Sequence, residues 1–223
     1  MVIRSARRVS RGQWPSINLS RSNESAFAIN KLGSCHGTLN KIASGPELQH
    51  QLLKNGCRTV SALMPDADLT CLDFWCRGGS VWEDQGEEGL AHFLEHMVFK
   101  GSATLQAGEF DRRIEALGGS SNAATGFDDV HFHVLVPSNC AQNALDLLLD
   151  LVLNPALRED AYGMERNVVL EEIAQYRDQP DEQVFQTLLS QSFGQHPYGR
   201  PILGLEQSLL DSTPEVMRQF HNR

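Results

Sequence analysis

No run of about 20 uninterrupted apolar residues occurs in this 223-residue chain, so no segment has the length of a membrane helix. The most apolar stretch, Ala144 to Leu153, is broken by Asp146 and Asp150. Positive charge is also scarce: 19 Lys and Arg face 28 Asp and Glu, a formal net charge of −9. That balance lacks the basic face a nucleic-acid binder needs, so no nucleic-acid partner is expected. Glycine (18) and proline (9) are too few for collagen-like or low-complexity sequence. Cysteine is sparse and odd in number, and Cys35, Cys57, Cys71, Cys76 and Cys140 show no paired zinc-ribbon spacing. They read as thiols of a reducing compartment rather than a disulfide framework. What remains is an ordinary globular composition, 41% hydrophobic and 21% charged, with chain enough for one domain with a core, or two small ones.

The charge is unevenly spread. Residues 1–46 carry seven bases (Arg4, Arg7, Arg8, Arg11, Arg21, Lys31, Lys41) against Glu24, which leaves 12 bases and 27 acids in residues 47–223. An Arg-rich, Ser-rich, acid-poor leader without an apolar h-region has the composition of an organelle transit peptide and not of a secretory signal. The alternatives are a disordered leader or residues added by an upstream start codon. The expected location is soluble: cytoplasmic, or an organelle matrix or stroma if the leader targets.

The folded part is expected to start near Glu47. Leu48 to Leu53, Asn55-Gly56 and Arg58 to Leu63 read as strand, turn and strand, and Leu69 to Cys76 as a third strand stopped by Gly78-Gly79. Glu87 to Lys100 and Glu109 to Leu117 read as helices, each closed by glycine. Strands Ser120 to Thr125 and Asp129 to Val136 follow. Helices are then predicted over Ser138 to Val152, Glu159 to Tyr176, Asp181 to Ser192, Gln207 to Leu210 and Pro214 to His221. Strands in hairpins followed by helices in runs predict an α+β fold, a mostly antiparallel sheet covered by helices.

One pentapeptide carries chemistry: His92-Phe93-Leu94-Glu95-His96, inside a predicted helix. Residues four apart are about 40° apart around a helix, so both imidazoles leave one face and can share an ion. Neutral imidazole is a preferred Zn²⁺ ligand. Glu95 sits at the edge of that face, placed to hold a water without ligating the metal. This is the inverted zincin arrangement, His-x-x-Glu-His. A catalytic zinc site wants a third protein ligand, and Glu165, Glu171 and Glu172 share one helix. Glu165 and Glu172 are two turns apart on a line beside apolar Val169 and Ile173, whereas Glu171 is rotated by roughly 100° towards solvent. Helical phase favours Glu172 without settling it.

The chain resembles the N-terminal, catalytic half-domain of the pitrilysin/insulinase family of zinc peptidases, in the branch holding processing-peptidase β-subunits. The matching residues are Gly89 through Ser102, Gly118-Gly119 with Asn122-Ala123 and Thr125, Glu165-Arg166 through Ile173, and His196-Pro197-Tyr198-Gly199 with Pro201-Ile202 and Gly204. The resemblance implies one Zn²⁺ per chain on His92, His96 and Glu172, with Glu95 as the base. Glu165 would orient a ligating histidine. It also implies a peptide substrate docked on the strand around Asn122 and Ala123. Family members pair two homologous halves. This chain holds one and stops at His221-Asn222-Arg223, before strands that relatives carry, so residues 47–223 are expected to be a half-domain truncated at its C-terminus. The expected function is a zinc metalloendopeptidase needing a second half-domain or a homo-oligomer. The competing expectations are a non-catalytic assembly subunit or inactive fragment, and a module that only holds unfolded peptides.

The remaining candidates read as architecture. His131 and His133 alternate in a strand and share one face, with a structural or solvent-facing role expected. Cys71 and Cys76 are an odd number of residues apart and fall on opposite faces. Phe93, Leu94, Met97 and Phe99 are expected in the core, and Phe74, Trp75 and Trp82 are expected to pack.

Overall fold

A computed structural model of the chain describes residues 2–4 and 46–223. Its strands are β1 (Val2–Arg4), β2 (Leu48–Leu52), β3 (Arg58–Ala62), β4 (Leu69–Cys76), β5 (Ser120–Thr125) and β6 (Val130–Pro137). The helices are α1 (Leu90–Val98), α2 (Glu109–Ala116), α3 (Ala141–Leu153), α4 (Glu159–Arg177), α5 (Pro180–Phe193), α6 (Glu206–Asp211) and α7 (Pro214–His221). The strands form one sheet in the order β2-β3-β1-β4-β6-β5, antiparallel at every pairing except β1 with β4. The α+β class expected from the sequence is the fold observed.

Alternation along β4 and β6 explains the layering. Leu72, Phe74, Phe132, Val134 and Val136 project to one face and are buried against Phe110 and Ile114 of α2 and Leu145, Leu148 and Leu151 of α3. Each large side chain buried this way contributes roughly 1.5–3 kcal/mol. The opposite face carries Asp73, Trp75, His131 and His133, all half-buried. A second cluster joins Leu90, Phe93 and Met97 of α1 to Tyr162, Val169 and Ile173 of α4, and to Leu209, Met217 and Phe220 of α6 and α7. The buried positions of α4 (Tyr162, Glu165, Val169, Ile173) recur every three or four residues, the spacing of one helix stripe. Helix α1 thus lies between the sheet and α4.

Two departures from the sequence reading have physical causes. Helix α1 begins at Leu90, three residues later than predicted, because Gly89 has φ +97°, in the left-handed region. The amides of Gly89 and Ala91 donate instead to Oε1 of buried Glu83, at 3.1 and 2.9 Å. Gly204 packs against this turn: a Cβ there would lie 2.2 Å from the Glu88 carbonyl oxygen. The second departure is a correction to the start of the folded part. Val2–Arg4 is a strand between β3 and β4, which would otherwise leave backbone edges unpaired. Three residues are too short to show an alternating pattern. Residues 5–45, which hold Cys35 and most of the basic leader, lie outside the described residues, and so does the transit-peptide reading.

Between β2 and β3 the chain makes a five-residue connection that contains the expected Asn55-Gly56 turn. Leu52 pairs with Arg58, and Asn55 Oδ1 accepts from the Cys57 amide at 3.0 Å.

Candidate metal centre

The imidazoles of His92 and His96 leave one face of α1, and their Nε2 atoms approach to 3.2 Å with the rings edge to face. Glu172 of α4 brings Oε2 to 3.6 Å from each of those nitrogens. A tetrahedral ion with arms of 2.0–2.1 Å has edges of about 3.3–3.4 Å. The three separations bracket that edge length, and the donor set (two imidazoles and a carboxylate) is one that zinc accepts. A proton on His92 Nε2 bridges to His96 Nε2 in the metal-free chain, and a cation would take its place among the three atoms. The residues present therefore fit a zinc ion. Glu171, one residue away, is exposed.

Electrostatics suit ligation. Burial, reinforced by His96, pushes the His92 pKa down from 6.5 to about 4, so its ring is neutral at pH 7 with a lone pair to give. Its Nδ1 is buried and has no hydrogen-bond partner among the described residues. His96 is oriented from behind: its Nδ1 lies 3.0 Å from Glu165 Oε1. The other oxygen of Glu165 meets Lys100 Nζ at 2.6 Å. Lys100 follows the C-terminal end of α1, four residues after His96, a spacing that could have placed it near the same carboxylate. The sequence reading gave Lys100 no role at the site.

Glu95 lines the same cavity as His92, His96 and Glu172. Burial pushes its carboxyl pKa up, while the hydrogen bond to Oε2 from the Thr125 hydroxyl and the nearby His96 pull it back. Thr125 is on β5, so a sheet residue fixes a helix carboxylate. The cavity has a volume of about 400 Å³, and Ala123, Ala124, Tyr176 and Gln186 form part of its wall.

Strand β5 ends the sheet, paired to β6 only, so its outer edge is open among the described residues. Ala123 lines the cavity. Asn122 is exposed and is not among the cavity-lining residues; its Oδ1 accepts from the Ala123 amide at 2.9 Å. His196 serves architecture, accepting from the Tyr198 amide at 3.1 Å.

The profile of the insulinase family (peptidase family M16) matches residues 58–206. An "uncharacterized zinc protease" of Rickettsia felis is 34% identical over 168 residues, covering 75% of this chain and 41% of that protein. A "probable mitochondrial-processing peptidase subunit beta" of Arabidopsis thaliana is 33% identical over 181 residues, covering 81% of this chain and 34% of its own length. Among solved structures, a protease from Helicobacter pylori superimposes with a TM-score of 0.76 at 29% identity, over 80% of this chain and 43% of that one. The chain spans less than half the length of these relatives.

Proposed function

The chain belongs to the insulinase family, peptidase family M16, and from that premise we propose that it is the zinc-binding half of a metalloendopeptidase. In this reading His92, His96 and Glu172 hold one Zn²⁺. The observation that supports it best is the trio of ligand atoms 3.2 to 3.6 Å apart, drawn from two helices.

When bound, zinc supplies Lewis acidity, which makes water a stronger nucleophile at neutral pH and polarises a peptide carbonyl. The protein's own groups do the rest. Glu95, with Oε2 engaged by Thr125, takes a proton on its other oxygen from the attacking water and gives it to the leaving amine. Its raised pKa brings it nearer the working pH for that exchange. Glu165 accepts from Nδ1–H of His96, which fixes the tautomer and aims Nε2 at the ion. The open edge of β5 around Asn122 and Ala123 takes the peptide as an added strand, so main-chain hydrogen bonds carry affinity.

A second homologous half-domain, or a second copy of the chain, completes the working enzyme in this reading. Support comes from the span of the chain, under half of its relatives, and from α5, which buries none of its residues and exposes Val184, Phe185 and Leu188. An apolar helix face of this kind is ordinarily covered. The test is zinc content and fluorogenic-peptide cleavage, with and without chelator, for the chain alone and with a candidate partner half. One zinc per α1/α4 site, and cleavage that rises with the partner and vanishes in Glu95→Gln while zinc stays, is the expected result. Cleavage retained in Glu95→Gln overturns the base, and full activity of the lone chain overturns the need for a partner.

A further inference from the structure

The solvent-side face of the sheet holds a second set of metal-competent groups that shares no residue with the α1/α4 centre. Asp73 of β4 stands directly opposite His133 of β6 in the antiparallel register, and Trp75 stands opposite His131. Residues 131 and 133 are two apart on a strand, so both imidazoles leave the face that does not enter the core. A nitrogen of each ring and a carboxylate oxygen of Asp73 all lie within 4.8 Å of one another. The tightest pair, His131 Nδ1 and Asp73 Oδ1, is 3.0 Å apart.

We propose that Asp73, His131 and His133 bind a second divalent transition-metal ion, of the borderline class that includes Zn²⁺. Two imidazoles and a carboxylate form a donor set that such ions accept with three protein ligands and an open position. The backbone is preset, because β4 and β6 are interior strands paired on both sides. Closing the set to ligand–ligand edges of about 3.3 Å then falls to the side chains, which start within 4.8 Å of one another. The His131 ring is held by Trp75, stacked at 4.3 Å and 12°, and the His133 ring lies nearly parallel to it at 5.7 Å and 19°. Access is open, since the Asp73 and His131 side chains are 18% and 24% exposed.

A purely structural role explains only part of this cluster. An Asp–His pair that braces two strands uses Asp73 and His131 and leaves His133 without a task. Nδ1 of His133 is buried with no hydrogen-bond partner among the described residues, an arrangement that costs free energy. An ion between the three groups gives His133 a role as a ligand and sets its tautomer.

The test uses the 223-residue chain, stripped of metal and titrated with Zn²⁺ against a chromophoric chelator, with bound zinc counted by elemental analysis. Two zinc ions per chain are expected. His92→Ala/His96→Ala should keep one, His131→Ala and His133→Ala should each keep one, and combining His92→Ala, His96→Ala and His133→Ala should leave none. Asp73→Asn preserves the strand and should weaken the second ion by tenfold or more. Co²⁺ absorption of His133→Gln gives a second readout if an alanine variant misfolds, and should lose one of two sets of d–d bands. The inference is overturned if folded His133→Ala or His133→Gln binds metal with unchanged stoichiometry and affinity. It is also overturned if His92→Ala/His96→Ala binds none. A single wild-type zinc that survives His92→Ala/His96→Ala and is lost in His133→Ala would refute the α1/α4 reading and leave this one standing.

Discussion

Replacing Glu165 with Gln should weaken zinc binding without unfolding the protein. The Glu165 side chain is only 10% exposed and serves two partners, His96 Nδ1 at 3.0 Å and Lys100 Nζ at 2.6 Å. Glutamine fits the same space and still offers a carbonyl oxygen to His96. What it removes is the negative charge that makes the imidazole a better donor to a cation. Partners of this type behind a ligating histidine are worth about 10–100-fold in metal affinity, or roughly 1.4–2.8 kcal/mol. Fold stability should suffer less. Lys100 loses its counter-charge, but its side chain is 33% exposed and water compensates much of the loss. About 1 kcal/mol is expected, well below the 3–5 kcal/mol of a fully buried pair. Glu165→Ala also removes the hydrogen bond and should fall at the weak end of the affinity range. The assay is chelator competition for zinc Kd at pH 7, with urea unfolding of the metal-free chain beside it. Glu171→Gln, on an exposed residue of the same helix, is the control and should change neither. A folded Glu165→Gln protein with wild-type zinc affinity would refute the orienting role.

Thr125→Val removes the hydroxyl that holds the Glu95 carboxylate, so the Glu95 pKa should rise further and the acidic limb of the kcat/KM profile of the active assembly should move to higher pH. Glu83 has its pKa raised by burial from 4.5 to about 7, above its unfolded value, so the stability it contributes is present below pH 4.5 and lost as pH rises to 7. On the order of 3 kcal/mol is at stake, and Glu83→Gln should flatten that part of the stability–pH curve measured by denaturant unfolding. Gly204→Ala combines a φ of +84° with a Cβ 2.2 Å from the Glu88 carbonyl oxygen, so it should lower unfolding stability by at least about 2 kcal/mol; a smaller loss would mean the turn relaxes freely.

Much of the centre was legible because its information is local. Four-residue spacing places His92 and His96 together, and seven-residue spacing aligns Glu165 with Glu172 beside Val169 and Ile173. Those relations survive translation from sequence to helix unchanged. What was not legible depends on which elements become neighbours. His131 and His133 advertise a shared face, but Asp73 joins them only through the β4–β6 register, about 60 residues away in sequence. Thr125 reaches Glu95 from a strand position whose periodicity says nothing about its partner. Glu83 lies outside any helix, and its role in holding the first turn of α1 follows from the left-handed backbone at Gly89. Val2–Arg4 is missed for a different reason: a three-residue strand has no period to detect.

The candidate ligand atoms come from two helices whose contributing residues, His96 and Glu172, lie 76 positions apart. An ion seated there is a clasp on a long loop that contains β5, β6 and α3. It recognises only the packed pair α1/α4, since the unfolded chain presents no such trio. By linkage, free zinc at 100 times its Kd would add about 2.7 kcal/mol to unfolding stability, and each further tenfold about 1.4 kcal/mol more. Starvation for the metal would then lower the population of folded chains as well as the fraction that is loaded. A chain that misfolds would be unable to assemble the clasp, so metal loading and correct folding would be acquired in the same step.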